Sequence, residues 1–194
     1  MDGCFAARDC RAGQFLISFG GCRRLATRIM LGGGEEMFTN QKFDNWNLND
    51  SLKLGIETLG WDNATLVQRD TIPIALSGSD VIGQARTGSG KTGAFGIPII
   101  QGCQPKGTLQ ALILAPTREL ANQVSDEMNE IQGDYGLKII TVYGGTDLEK
   151  QAKQLSKGVD IIVGTPGRVM DMTKRGYIDL NQPSIFCLDE ADRM

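Results

Sequence analysis

This 194-residue chain contains no histidine, and it lacks other features that define common protein classes. Without an imidazole it excludes mechanisms that need a histidine base and metal sites with histidine ligands. No apolar run approaches the ~18 residues that a membrane-spanning helix requires, so we expect no membrane partner. The five cysteines include no C-x-x-C pair, which argues against a zinc site or disulfide framework and favours a reducing compartment.

The charge is also not that of a general nucleic-acid-binding protein. The formal net charge is −3, and residues 1–34 hold five arginines and two aspartates, so this end carries +3 and the remainder −6. If the main body binds nucleic acid, it must therefore use local donors and not a broad basic surface.

Residues 1–36 differ from the rest of the chain in having glycine clusters, three of the five cysteines and no steady helical or strand period. We expect them to be an atypical, disordered extension or a mis-assigned start. The alternative is an organelle presequence, because arginines cluster at 23–28, although two aspartates and few serines argue against it. The expected location is accordingly the cytoplasm, with an organelle as the alternative.

From Phe43 onward the pattern becomes regular. Leu52, Ile56 and Leu59 have helical spacing, and Gly60 follows as a stop. Short apolar runs then alternate with longer amphipathic segments, which predicts βαβ units and a parallel sheet covered by helices. The predicted strands are 80–84, 111–115, 138–142, 160–163 and 184–188, and the predicted helices are 91–102, 118–132, 147–156 and 167–175. Ligands of such sheets bind beyond the carboxyl ends of the strands, where the polar motifs of this chain fall.

A glycine-rich segment follows the predicted strand 80–84 and opens a helix. It consists of Ala85, Arg86, Thr87, Gly88, Ser89, Gly90, Lys91 and Thr92. Glycines allow successive N–H groups to converge on phosphate oxygens, and the helix N-terminus adds a favourable field. Lys91 can reach the terminal phosphates and Thr92 can ligate Mg²⁺. The alternative is a flexible turn, since Ala85 replaces the first glycine of the general phosphate-loop pattern.

Two carboxylates follow the last predicted strand. Asp189 at the strand end can hold Mg²⁺, and Glu190 can orient and deprotonate an attacking water. The alternative is an acidic helix N-terminus stabilised by the helix dipole. The phosphate loop upstream favours the catalytic interpretation, with Lys91, Asp189 and Glu190 as the catalytic residues.

Together these motifs resemble motifs I and II of the DEAD-box RNA helicases, and the resemblance covers most of residues 43–194. Pro116, Thr117 and Arg118 begin a segment similar to motif Ia, Gly144 and Gly145 resemble the paired glycines, and Thr165 to Arg168 resemble motif Ib. The family uses an alanine at position 85. The resemblance implies a RecA-like α/β fold, ATP and Mg²⁺ as ligands, and RNA as the partner.

The segment 60–68 resembles the adenine-recognising Q motif of this family. It implies that Gln68 pairs with N6 and N7 of adenine while Phe43 packs against the ring. Trp61 replaces a phenylalanine of the family, and Ala64 and Leu66 replace two prolines. The loss of both prolines leaves the loop less pre-organised, which is expected to weaken ATP binding.

The resemblance also implies a sequence-independent grip on the backbone of single-stranded RNA. Such a grip needs donors and close approach at loop positions after strands. The residues expected to supply it are Pro116, Thr117, Arg118, Gly145, Thr165 and Arg168. The alternative for Arg118 is an ion pair with a neighbouring carboxylate such as Glu119.

Residues 37–194 are therefore predicted to be a partial first RecA-like domain of a monomeric helicase. The family's S-A-T strand, arginine fingers and second RecA-like domain are not in this sequence, so weak or no hydrolysis of ATP is expected. In related sheets the S-A-T strand lies between the phosphate-loop and DEAD strands. Its absence is expected to leave these strands without their shared neighbour, with melting below about 55 °C.

Two other functions remain open. The chain could be a non-enzymatic, ATP-dependent RNA-binding module, which RNA-stimulated ATP turnover would separate from a helicase. It could also be an unrelated phosphate-loop kinase or GTPase. No N-K-x-D guanine signature is present, and that reading leaves the segments similar to motifs Ia and Ib unexplained.

Overall fold

A computed structural model of the protein describes residues 12–20, 27–30, 38–86 and 88–194. The strands are β1 Ala12–Phe19, β2 Thr27–Met30, β3 Phe38–Lys42, β4 Asn63–Thr65, β5 Val81–Arg86, β6 Ala111–Leu114, β7 Ile139–Val142, β8 Ile161–Gly164 and β9 Ile185–Asp189. The α-helices are α1 Asp50–Thr58, α2 Leu66–Leu76, α3 Lys91–Gly102, α4 Arg118–Ile131, α5 Leu148–Leu155 and α6 Pro166–Lys174.

Seven of these strands form one sheet in the order β2-β5-β1-β9-β6-β8-β7, and β3 pairs with β4 separately. The strands β9, β6, β8 and β7 are parallel to one another. Helices α4, α5 and α6 connect them in chain order. The predicted α/β fold is confirmed, and each predicted strand and helix agrees with an observed element to within two residues at either end.

Helices cover both faces of the sheet because successive apolar side chains of a strand point to opposite faces. Ala111 and Ile113 of β6 pack into the larger core with side chains from α1 to α4. Leu112 of the same strand faces the smaller core, which α5 and α6 close. This is the period of two expected for a strand buried on both faces.

Strand β1 is the main difference from the sequence-based expectation. Residues 12–19 were expected to be disordered, but they lie between β5 and β9 and pair antiparallel with both. Phe15 and Ile17 are fully buried, and Gly83 of β5 leaves the space that the Phe15 ring occupies. Burial of alternate apolar side chains and two hydrogen-bonded ladders stabilise this segment despite its irregular surroundings.

The expectation that the phosphate-loop and DEAD strands lack a shared neighbour is therefore wrong, because β1 fills that position. This removes the reason given for marginal stability. Residues 27–30 also form a strand, β2, which pairs parallel with β5 at the edge of the sheet. The remaining parts of the predicted extension, 1–11, 21–26 and 31–36, lie outside the described residues.

Helix α2 and the small β3–β4 sheet are two further elements that the sequence patterns did not predict. Thr65 caps α2 through a reciprocal pair of hydrogen bonds with Gln68, a capping box that specifies where the helix begins. Helix α1 begins at an Asn49 cap, and Gly60, with a φ of 70°, lies in the turn that follows it. These elements cover the end of the sheet beside the phosphate loop.

Candidate nucleotide-binding site

The phosphate loop connects β5 to α3. Gly88 and Gly90 have φ angles of 78° and 84°, a backbone conformation that disfavours any residue with a side chain. Gly90 is the N-cap of α3, which begins at Lys91. The first turn of this helix therefore presents free N–H groups next to the lysine, as a phosphate site requires. Thr87 lies outside the described residues.

A cavity of about 540 Å³ joins this loop to the end of β9. Its lining includes the predicted site residues Trp61, Gln68, Gly88, Gly90, Lys91, Thr92, Asp189 and Glu190. Among the residues that the structure describes, four predicted nucleotide-binding residues stand apart from this lining. Ala85 is buried in the core, Arg86 is exposed, Ser89 is partly buried, and Phe43 is packed behind Trp61.

Lys91 and Glu190 form an ion pair across the cavity. Lys91 Nζ lies 3.5 Å from Glu190 Oε1, and each side chain is only 9% exposed. Glu190 adopts a left-handed backbone conformation with a φ of 50°, which is uncommon for a residue with a side chain and turns it away from the direction of Asp189. Arg193 approaches the other Glu190 oxygen at 2.9 Å. A short 3-10 turn, Ala191–Arg193, follows Glu190, and it does not test the alternative of an acidic helix N-terminus.

Asp189 is 3% exposed, and its Oδ1 has no hydrogen-bond partner among the described residues. Burial raises the pKa of this carboxyl to about 6, Lys91 opposes the rise, and Glu190 adds to it. A buried oxygen without a partner is costly unless a ligand satisfies it. Ser89 Oγ and Lys91 Nζ also lack hydrogen-bond partners within the described residues. Asp189 and Lys91 both line the cavity, so their unsatisfied atoms identify it as a site that needs a polar ligand.

Within the described ranges, no three acidic or cysteine side chains converge as a preformed metal cage. A magnesium ion is typically held by one or two carboxylates together with water and phosphate oxygens. Asp189 and Thr92, which both line the cavity, fit that smaller set of protein ligands.

Gln68 is buried, and its side-chain amide is already engaged at both ends. Its Oε1 accepts from the Thr65 N–H at 3.0 Å, and its Nε2 donates to the Gly90 carbonyl at 3.2 Å. The amide therefore connects the start of α2 to the phosphate loop. Its predicted contact with adenine remains a prediction, and the amide keeps one further N–H donor and one further acceptor position for it.

The aromatic residues beside Gln68 have an unexpected order. Phe43 is 4% exposed, and its ring centroid lies 6.1 Å from that of Trp61, which itself lines the cavity. A side chain at Gly93 would collide with the Trp61 ring, so the indole packs directly on the first turn of α3. Phe38, which the sequence patterns did not single out, is 61% exposed at the cavity. The sequence gives no sign of this position, because it depends on the pairing of β3 with β4.

The cavity lining also includes three residues of α4 that sequence reasoning missed, namely Leu120, Gln123 and Glu127. Burial raises the pKa of Glu127, while a hydrogen bond from the Thr92 side chain opposes that rise. Their spacing of three and four residues places them on one face of the helix, but nothing in the sequence says that this face meets α3.

The predicted RNA-binding residues lie in the loops after β6, β7 and β8. Thr117 caps α4 by accepting from the Leu120 N–H at 3.2 Å, and Arg118 lies over the Tyr143 ring at 5.1 Å. Thr165 precedes α6 and makes no side-chain cap bond. Arg168 donates to Gln151 Oε1 at 2.9 Å and to the Thr146 carbonyl at 3.0 Å. Gly145 has a φ of 83° in an exposed turn, and Pro116 follows β6 by two residues.

These loops and the nucleotide cavity share the carboxyl edge of the parallel strands. The structure thus brings the predicted nucleotide and RNA residues to one side of the sheet, as expected for the fold. Among the described residues, no helix has the length and apolar composition needed to cross a membrane.

The chain belongs to the DEAD/DEAH box helicase family, because the family profile of that description matches residues 65–194. The predicted resemblance to DEAD-box RNA helicases is thereby confirmed.

Among its curated relatives is a protein named DEAD-box ATP-dependent RNA helicase CshA from Bacillus subtilis. It is 47% identical over 153 residues, which are 78% of this chain and 31% of the relative. A CshA from Streptococcus pneumoniae is also 47% identical, over 79% of this chain and 29% of the relative. The chain therefore spans about a third of the length of these relatives.

Solved structures agree. A DEAD box protein from Methanococcus jannaschii aligns with a TM-score of 0.67 and 40% identity, over 72% of this chain and 39% of that one. A protein described as a hypothetical ATP-dependent RNA helicase from Sulfolobus tokodaii aligns with a TM-score of 0.61 and 36% identity, over 70% and 39%.

Proposed function

We propose that this chain is the Mg·ATP-binding and RNA-binding part of an ATP-dependent RNA helicase, corresponding to its first RecA-like domain. The observation that carries the proposal is the cavity shared by Lys91, Thr92, Asp189 and Glu190, in which buried polar atoms lack partners. The similarity to CshA proteins supports ATP and RNA as ligands. A second RecA-like domain, a monomeric state and a cytoplasmic location remain predictions.

The ion pair between Lys91 and Glu190 suggests how the site changes when nucleotide binds. A terminal phosphate is a stronger partner for the Lys91 ammonium than one carboxylate, so we expect Lys91 to move from Glu190 to the phosphate. Glu190 is then free to accept a proton from the attacking water. The ion pair thus holds the two charges against each other until substrate arrives.

Magnesium, when bound, would neutralise charge on the phosphate oxygens. Thr92 and Asp189 would hold it, since both line the cavity and Asp189 Oδ1 has no hydrogen-bond partner within the described residues. The helix N-terminus at Gly90 adds backbone donors for the phosphates. Gln68 and Trp61 would form the adenine end of the same cavity.

RNA would bind along the loops that carry Thr117, Arg118, Gly145, Thr165 and Arg168. Arg118 is exposed, and Arg168 is partly buried, held by neutral oxygen acceptors and not by a carboxylate. Both guanidinium groups therefore keep their positive charge available to phosphates. In the larger protein, we expect ATP binding to close a second domain over this edge and separate short duplexes.

The second candidate is an ATP-dependent RNA-binding module without turnover. The observation that favours it is that Glu190 is neutralised by both Lys91 and Arg193. Both cations would have to move away before this carboxylate could approach a water molecule.

ATP binding and RNA-stimulated ATP turnover by the unsubstituted chain, Lys91→Ala and Glu190→Gln test the proposal. We expect Lys91→Ala to weaken ATP binding by about tenfold or more, because a charge-assisted bond to phosphate is lost. Glu190→Gln should retain binding. RNA-stimulated turnover that disappears in Glu190→Gln supports the enzyme, and its absence in a longer protein with both domains supports the binding module. GTP binding as tight as ATP binding would contradict both the helicase and the RNA-binding module. It would favour the alternative of an unrelated phosphate-loop kinase or GTPase.

A further inference from the structure

The loop that follows β7 has little of its own to hold it in shape. It runs from Tyr143 to Thr146, and its two middle residues are Gly144 and Gly145. A side chain added at either glycine would meet nothing among the described residues within 4 Å. The shape of the loop therefore depends on the contacts made at its two ends.

Gln151 of α5 makes contacts at both ends of this loop. It is only 6% exposed, and with Ala152 and Leu155 it forms the buried part of the helix. Its Nε2 donates to the Tyr143 carbonyl at 3.2 Å and to Thr146 Oγ1 at 2.8 Å. Both N–H groups of the amide are thus used, and they join the first residue of the loop to the last.

The oxygen of the same amide holds an arginine. Arg168 of α6 donates to Gln151 Oε1 at 2.9 Å and to the Thr146 carbonyl at 3.0 Å. These two bonds occupy two of the five N–H donors of a guanidinium group, so three remain for a ligand. Because both acceptors are neutral, they orient the guanidinium without cancelling its charge.

The second arginine of the predicted RNA site is joined to the same loop. The guanidinium carbon of Arg118 lies 5.1 Å from the centroid of the Tyr143 ring, a cation–π contact. The backbone carbonyl of Tyr143 is the group that Gln151 holds. The loop and the Gln151 amide therefore relate the positions of both arginines.

We propose that Gln151 is a positioning residue of the RNA site. Its buried amide fixes the glycine loop and the Arg168 guanidinium in one arrangement, so that Arg168 faces an RNA phosphate with its charge intact. This inference rests on the proposed function. It adds a buried residue of α5 to a site otherwise predicted from loop residues alone.

The test is the affinity of the 194-residue chain for a fluorescein-labelled single-stranded oligouridine, measured by fluorescence anisotropy at several salt concentrations. Loss of one phosphate contact should make the dependence of log affinity on log salt shallower by about 0.7. We expect Arg168→Ala to weaken RNA binding by about tenfold and to reduce the salt slope by that amount. Gln151→Met, which keeps the side-chain volume but not the hydrogen bonds, should weaken binding by about three- to tenfold and reduce the slope similarly.

Gln154→Met is the matched control, because it makes the same substitution at an exposed position of α5. It should leave the RNA affinity and the salt slope unchanged. ATP affinity should be unchanged in Gln151→Met, since no residue of the described cavity lining belongs to the loop. If Gln151 served only the stability of the fold, its loss would lower the ATP and RNA affinities together and leave the salt slope as it is. That result would overturn the inference.

Gln151→Glu tests the neutrality of the amide with a side chain of the same shape. Its carboxylate would form an ion pair with Arg168, and it would offer no N–H group to the Tyr143 carbonyl. We expect RNA binding to fall at least as far as in Gln151→Met. An RNA affinity equal to that of the unsubstituted chain would overturn the inference.

A double-mutant cycle with Arg168 completes the test. If Gln151 acts mainly through this guanidinium, Gln151→Met should have little further effect on RNA affinity beside Arg168→Ala. An effect that persists in full in that background would overturn the inference. If the unsubstituted chain binds ATP but no RNA, the RNA-binding part of the proposed function fails first, and the inference with it.

Discussion

The two sides of strand β9 are built in different ways. On one side, β6, β8 and β7 are parallel strands that alternate along the chain with the helices α4, α5 and α6. On the other side, β1 pairs antiparallel with both β5 and β9, although about 170 residues separate Phe15 from Asp189 in the chain. The first side is specified by local periodicity, whereas the second depends on long-range pairing.

This difference bears on the nucleotide site because the site straddles it. Lys91 follows β5, and Asp189 ends β9, so β1 determines the separation of the two strands that carry the catalytic groups. Gly13 of β1 also lies where any side chain would collide with the Lys91 ammonium. The long-range side of the sheet therefore positions the chemistry, and the local side positions the predicted RNA loops.

Removing β1 should have the largest effect. Deletion of residues 1–19 leaves the N–H and C=O groups of β5 and β9 that pair with β1 without partners. It also removes Phe15 and Ile17 from the core. We expect loss of a cooperative thermal transition, measured by circular dichroism. Deletion of residues 1–11 alone is the control and should leave the transition in place. If the melting temperature is unchanged without β1, the β5 side of the sheet does not depend on its long-range pairing with β1.

The next effect concerns the strand that both sides share. Burial raises the pKa of Asp189 to about 6, above its unfolded value of 3.8, so the folded state holds this proton more tightly. Stability from this group is complete below pH 4 and is lost as the pH rises through about 6, by at most about 3 kcal/mol. Denaturant unfolding across this range should show the decline, and Asp189→Asn should remove it. A decline of equal size in Asp189→Asn would assign it to other groups.

The smallest predicted effect lies on the local side. Thr117 accepts a capping bond from the Leu120 N–H, whereas Thr165 stands at the equivalent place before α6 without one. Thr117→Ala should therefore cost about 1 kcal/mol in the free energy of unfolding, and Thr165→Ala clearly less. Urea unfolding of both variants checks this. If both variants lost the same free energy of unfolding, the capping hydrogen bond of Thr117 would not be what distinguishes the two helix starts.

Much of the local side could be predicted from sequence. The helix Lys91–Gly102 was predicted with both its bounds, and each bound of β6 to β9 was predicted to within one residue, because their apolar runs are short and bounded by turn residues. The same reasoning missed β1, whose alternation of Gly13, Phe15 and Ile17 is brief and lies among glycine-rich stretches. Only its pairing with β5 and β9 makes it a strand.

The site shows the same division. Lys91, Thr92, Asp189 and Glu190 were predicted because their motifs contain the chemistry at strand ends, and the structure brings them to one cavity. Glu127 was missed because an acidic residue on an amphipathic helix is usually solvated, and its place in the cavity lining depends on how α4 packs against α3. The stacking role predicted for Phe43 remains a prediction. Trp61 lines the cavity, and Phe43 packs against Trp61 without being part of the lining.

The central claim is that one magnesium–nucleotide contacts both the lysine after β5 and the carboxylate at the end of β9. Calorimetric titration of ATP into the unsubstituted chain, Lys91→Ala and Asp189→Asn, with Mg²⁺ and with EDTA, tests it most directly. We predict that Lys91→Ala weakens ATP binding in both conditions, whereas Asp189→Asn abolishes only the gain that Mg²⁺ provides. A full magnesium gain in Asp189→Asn would contradict the account.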